Sequence, residues 1–168
     1  MLRRILIASA IALLLPTASP SFALDKPKGE VILRVTGNVG TPNDGKVAAF
    51  DLDMLEALKG RKASMETPWT KGKTEFQGPL IRAILAAAGA DGKVLKVKAL
   101  NDYSSDVPIA DAKDLDTILA VRMNSKLMSV RDKGPLFMIY PFDTNPELYN
   151  EKYFSRSVWQ VMEVEVVN

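Results

Sequence analysis

The chain alternates between short apolar runs and turn-rich polar stretches, and that alternation predicts many short elements. Val31–Thr36 is a first strand closed by Gly37, and Val47–Phe50 a second. Asp51 is placed to cap a short helix whose Leu52, Leu55 and Leu58 share one side and which Gly60 can close. The cations behind it, Lys59, Arg61 and Lys62, read as solvated. Ala63–Trp69 is extended because Pro68 excludes helix there, and Thr70–Thr74 is a turn. Phe76–Gly89 gives the clearest helical pattern. Pro79 suits its first turn, Gly89 its end, and Leu80, Ile84, Leu85 and Ala88 line one face. Val94–Leu100 alternates as a half-buried strand, with a loop at Asn101–Tyr103 and a further strand over Ser104–Ile109.

Ala110–Thr117 carries Asp111, Asp114 and Asp116 and reads as an acidic helix start. Ile118–Met123 is a strand followed by a turn at Asn124–Ser125. Pro135–Tyr140 is an unbroken apolar run between Gly134 and Pro141, the pattern of a strand buried on both faces. The polar loop feeding it holds Lys126, Arg131 and Lys133. That loop is either a rigid anion- or ring-reading loop or a hairpin with solvated charges. Glu147–Phe154 is short and helical or irregular. Ser157–Val167 is a last strand, with Val158, Gln160, Met162, Val164 and Val166 expected on one face and Trp159 and Val161 on the other. Several strands with few short helices in irregular order define an α+β domain with a mixed sheet.

The N-terminus changes the picture of where the domain begins. Met1-Leu-Arg-Arg4 precedes an apolar run over Ile5–Leu15 and small residues ending at Ala23, the pattern of a cleavable secretory signal peptide. That run is shorter than the ~20 residues a membrane span needs. Residues 1–23 are therefore read as leader and 24–168 as the domain, with a periplasmic destination. The leader contains Arg3 and Arg4 and no acidic residue, so the chain's formal charge of +2 belongs to it and residues 24–168 are balanced. A balanced domain offers no electrostatic footprint for nucleic acid.

The chain has no Cys and no His. It therefore has no disulfide, no thiolate nucleophile, no Ser-His-Asp triad and no imidazole-held metal. Oxygen-only metal sites and carboxylate pairs stay open. The spacing of Asp111, Asp114 and Asp116 lacks the glycine and final glutamate of a calcium loop.

Several segments occur in a telling order: Phe76-Gln-Gly-Pro-Leu80 through Ala88-Gly89, Asn101-Asp-Tyr103, Ile118–Met123 with Asn124-Ser125, Gly134-Pro-Leu136 and Ser157-Val-Trp159. In that order the chain resembles the oxidoreductase molybdopterin-binding domain, the sulfite-oxidase fold, over Val31–Val167. The resemblance implies a mixed-sheet α+β domain with a pterin pocket. Members that use molybdenum supply a cysteine thiolate from the segment before Phe76, yet Glu66-Thr-Pro-Trp-Thr70 holds none. Asp132 or Lys133 stands near the place of the family's histidine, and Ser125 replaces a turn glycine. The chain is similar, more narrowly, to small periplasmic members that lack the cysteine, bind pterins and pair with an inner-membrane enzyme making or degrading cyclic di-GMP. That implies a non-catalytic sensor with a pterin ligand and no metal, molybdopterin being the less fitting cofactor. The alternatives are a molybdopterin-dependent oxidoreductase and an interaction scaffold.

A flat heteroaromatic ring needs an aromatic face, and its amino-pyrimidinone edge needs acceptors. Trp69, at the mouth of a loop, is the first stacking candidate or else a rim-packing residue, and Tyr103 is the second. Asp102 and Asp106 are the edge candidates, Asp102 alternatively forming an Asx turn. Arg131 and Lys133 are candidates for a ring carbonyl or polar side arm. Trp159 is assigned to the core.

Overall fold

A computed structural model describes residues 23–168. The leader expected over residues 1–23 thus lies, apart from Ala23, outside the described residues. Among the described residues no helix is long and apolar enough to cross a membrane.

The first sheet has five strands. β1 (Leu33–Gly37) lies between β2 (Ala48–Phe50) and the C-terminal β11 (Val161–Val167), and β5 (Val94–Ala99) and β6 (Ser104–Pro108) complete it in the order β2-β1-β11-β5-β6. β1 and β11 run parallel and the other pairs antiparallel, so the sheet is mixed, as the pattern predicts. Its outward face pairs Lys98 with Glu163 and Glu165, each at 2.8 Å. Its inward face is Leu33, Val35, Leu95, Val97, Val164 and Val166, all buried. The edge at β2 is closed by a side chain: Asn43 accepts from the Ala49 N–H at 2.7 Å and donates to its carbonyl at 2.9 Å. An amide that satisfies both groups of an edge residue leaves nothing for another strand to pair with.

A second sheet is formed by β3 (Gly60–Met65), β4 (Thr74–Pro79), β8 (Arg122–Met123) and β9 (Lys126–Leu127), in that order. Between the two sheets β7 (Ile118–Ala120) pairs with β10 (Phe137–Ile139). Leu136 through Tyr140 are fully buried, so the apolar run singled out in the sequence is the centre of the core.

Among the described residues four short α-helices fill the gaps: α1 (Leu52–Ala57), α2 (Ile81–Ala87), α3 (Ile109–Lys113) and α4 (Glu151–Arg156). Asp51 caps α1 through the Met54 N–H at 2.9 Å and also accepts from the Lys28 and Gly29 N–H groups at 2.8 Å. Those donors, Gly29 first, hold its carboxyl below the ordinary carboxylate range. The lead-in before β1 is thereby tied to α1.

Three expectations are corrected. Phe76–Pro79 is strand, not the first turn of a helix. Thr74, Phe76 and Gly78 face inward with period two, and α2 begins only at Ile81. Gly78 has to be glycine here, because a Cβ would fall against the Leu119 carbonyl oxygen where β4 and β7 cross. Gly60 and the cations after it belong to β3, paired to β4 from Gly60↔Pro79 onward, so Gly60 does not close α1. The last strand is not continuous: Gln160 has φ +55° and the register shifts between Val161 and Glu163. That irregularity turns Val161 inward and Met162 outward, and leaves Trp159 38% exposed, not in the core.

Candidate aromatic binding site

The segment following α4 lies along β10. Met138 N–H donates to the Val158 carbonyl, Val161 N–H to that of Leu136, and Gln160 N–H to that of Lys133, at 2.8–2.9 Å. This pairing sets Trp159 beside Phe137, with ring centroids 6.1 Å apart and nearly perpendicular. Trp69, on the turn that follows β3, meets the same group. Its centroid is 5.5 Å from Phe137, 5.7 Å from Phe154 of α4 and 6.2 Å from Trp159, all edge to face. Edge-to-face packing of this kind fixes ring orientations and adds about 0.5–1.5 kcal/mol per pair beyond burial.

Beside this cluster is a cavity of about 330 Å³, lined by Trp69, Asn101, Tyr103, Glu151, Phe154, Ser155, Ser157, Val158 and Trp159. The volume falls at the small end of the ~300–1,000 Å³ typical of organic ligand sites. The two tryptophans of the chain both line it. Tyr103 is anchored: its hydroxyl donates to the Ser155 carbonyl at 2.9 Å, and its own N–H donates to the Asn101 side-chain oxygen at 3.3 Å. The Asx bond that the sequence assigns to Asp102 is thus made one residue earlier.

Behind the cavity, α4 is held by a buried polar cluster. One oxygen of Asp111 on α3 accepts from the Tyr140 hydroxyl at 2.7 Å and from Arg156 at 2.8 Å. Burial, and then the bond to Asp111, push the Tyr140 phenol far above its ordinary pKa. Asp111 stands in the first turn of α3, as the sequence predicts, and it also anchors α4 from within. Tyr153 of α4 packs on Tyr140 with centroids 5.1 Å apart.

Of the six residues the sequence nominates, the structure brings Trp69 and Tyr103 to one cavity. Lys133 stands at its edge, with its Nζ 5.7 Å from the Trp159 ring centroid. Asp102 is exposed at φ +63° and is not in the lining. Asp106 projects from β6 to solvent, 3.9 Å from Lys96. Arg131 is exposed on a single 3-10 turn at Val130–Asp132. The polar lining is supplied instead by Asn101 and Glu151. Sequence reasoning passed over Glu151, Phe154 and Ser155 because a six-residue helix has too few turns for a periodic signal. The nearby aromatic residues Tyr149, Tyr153, Phe154 and Trp159 were the available hint.

A model of the oxidoreductase molybdopterin binding domain matches residues 33–144, and the chain belongs to that family. Comparison with curated proteins gave no match. The match extends over β1 to β10 and ends before α4, so one wall of the cavity comes from residues beyond it. The family's molybdenum asks for a soft thiolate. The chain has none, and in Glu66–Thr70, where the resemblance implies it would lie, the Thr67 and Thr70 hydroxyls bond to each other at 2.7 Å. Among the described residues no three His, Asp or Glu side chains cluster to hold a metal. The donor set therefore does not fit molybdenum. The aromatic cavity is suited to a flat organic ring.

Proposed function

We propose that the chain is a pterin-binding protein that keeps the family's fold and uses its aromatic cavity as a receptor rather than as a metal site. One observation carries the reading. Trp69 meets Trp159 and Phe154 edge to face, and with Tyr103 they line a cavity of about 330 Å³. Stacking a heteroaromatic ring on such side chains contributes about 1–3 kcal/mol per ring. Asn101 and Glu151 supply hydrogen-bonding groups at the wall. The proposal extends to a sensor of the periplasm, exported by the leader, whose loaded form acts on the periplasmic domain of an inner-membrane cyclic di-GMP enzyme. Support for that extension is the signal-peptide pattern and the absence of cysteine.

The test is direct, because both tryptophans of the chain line the cavity. Titration with a reduced pterin should quench their emission saturably. Trp69→Ala should weaken binding about tenfold or more, the equivalent of the lower part of that stacking range. A flat titration of the wild type, confirmed by calorimetry, ends the proposal. Stoichiometric molybdenum in protein purified from the periplasm would replace it with a molybdopterin-dependent oxidoreductase.

A further inference from the structure

The cavity wall carries one carboxylate, Glu151, and no lysine or arginine. The hydroxyls of Tyr103, Ser155 and Ser157 all donate to main-chain carbonyls, at 2.9 Å each. The Asn101 side-chain oxygen is shared with the Tyr103 N–H. Those hydroxyls keep lone pairs, but Glu151 is the charged acceptor of the lining, has no donor among the described residues and is exposed. Lys133 lies over Trp159 outside the lining.

We infer that Glu151 is the specificity-determining residue of this site, selecting an unphosphorylated pterin by its amino-pyrimidinone edge. The inference rests on the pterin-binding reading and adds a ligand class to it. A pterin presents two adjacent donors on that edge, the 2-amino group and the N3–H, and a carboxylate accepts both in parallel. A lumazine with the same side chain has an oxygen in place of the amino group. That oxygen sets an acceptor against an acceptor, and a site built to hydrogen-bond rejects such an analogue strongly. A phosphate monoester adds negative charge to a wall that offers only negative charge. The ring meanwhile packs against Trp69, Phe154 and Trp159, which read neither difference.

The experiment uses the full chain and three probes: a dihydropterin with a neutral polyol arm, its phosphate monoester, and the lumazine of the same arm. Each is titrated by tryptophan emission against wild type, Glu151→Gln and Asp106→Asn. Asp106 is also an exposed carboxylate, but it stands away from the cavity. The wild type should prefer the unphosphorylated pterin to both other probes by about tenfold or more. Glu151→Gln should bring both ratios to within about threefold, because an amide donates as well as accepts and carries no charge. Asp106→Asn should leave both ratios as in the wild type. Thermal unfolding of all three proteins should coincide, since both sites are exposed. Ratios unchanged in Glu151→Gln, or moved as far by Asp106→Asn, overturn the inference. Wild type that binds all three probes alike also overturns it, with Lys133 then reaching the phosphate, and leaves the pterin-binding reading standing. Wild type that binds none of them overturns both.

Discussion

Removing the Asp111 carboxylate should unfasten the helix that walls the cavity. α4 is six residues long, has no fully buried residue, and is far too short to hold itself as a helix. Its position depends on what ties it down. The strongest tie is Arg156 to Asp111, with side-chain exposures of 18% and 12%, completed by the buried Tyr140 hydroxyl on the same oxygen. Asp111→Ala strands a guanidinium and a phenol at once. Breaking a buried pair from one side costs about 3–5 kcal/mol. Against a typical stability of roughly 5–15 kcal/mol, that is about a fifth of the total or more. Asp111→Asn keeps an acceptor oxygen and should cost about 1–3 kcal/mol. The exposed pair Arg34–Asp44, at 42% and 57%, is the internal comparison and should contribute no more than about 1 kcal/mol. Urea denaturation followed by circular dichroism, run as two double-mutant cycles, measures both couplings. Since Glu151, Phe154 and Ser155 travel with α4, Asp111→Ala should also weaken pterin binding at temperatures where the protein stays folded. The reasoning fails if Asp111→Ala costs under about 1 kcal/mol, or if the buried cycle gives no more coupling than the surface one.

Two further outcomes follow from the same core. Tyr140 stays protonated in the folded state at any pH where a free tyrosine ionises near ~10. Its contribution is complete below that pH and is lost as pH rises above it, by up to about 1.4 kcal/mol per pH unit. Tyr140→Phe should therefore flatten the alkaline fall of the melting temperature, and an unchanged slope would count against the burial argument. Gly78→Ala places a methyl against the Leu119 carbonyl at the crossing of β4 and β7, so it should cost about 3 kcal/mol or more; soluble protein within about 1 kcal/mol of wild type would refute the close approach.

The core was the most legible part of the chain. Pro135–Tyr140 is apolar without interruption, and a strand buried on both faces can look no other way. Asp51 and Gly89 were legible for a related reason, since capping chemistry is local. What misled was information that is not local. Phe76–Pro79 joins smoothly to the helical pattern after it, and only pairing to β3 and β8 makes it strand. Trp159 was assigned to the core as a large aromatic, although it shares its parity with Glu163 and Glu165, and the irregularity at Gln160–Glu163 that accompanies its exposure is not visible in the sequence. The site shows the same division. Trp69 and Tyr103 were visible as aromatics at loop ends, where ligand contacts gather. Asp102, Asp106 and Arg131 had suitable chemistry and no means, in sequence alone, of showing which way they project.

A metal-centred site is organised by its ion, and without the ion its ligands have little to hold them together. The cavity here is organised by contacts that need no ligand. Trp69, Phe137, Phe154 and Trp159 orient one another, main-chain bonds from β10 fix the segment that carries Trp159, and Asp111 fastens the helix that carries Phe154. A wall preorganised in this way binds without first paying to assemble itself. Strength that is spent on assembly in a floppy site remains available here for discrimination, and the one wall residue with an uncommitted charge is Glu151. The same construction bears on how loading could be felt outside. Phe154 touches Trp69 on one side and Tyr149 on the other, at 5.7 and 4.8 Å between centroids, and it sits on a helix with no fully buried residue. On the proposed sensor reading, a ring stacked beside Trp69 also contacts Phe154, and α4 is the element through which loading would reach a partner.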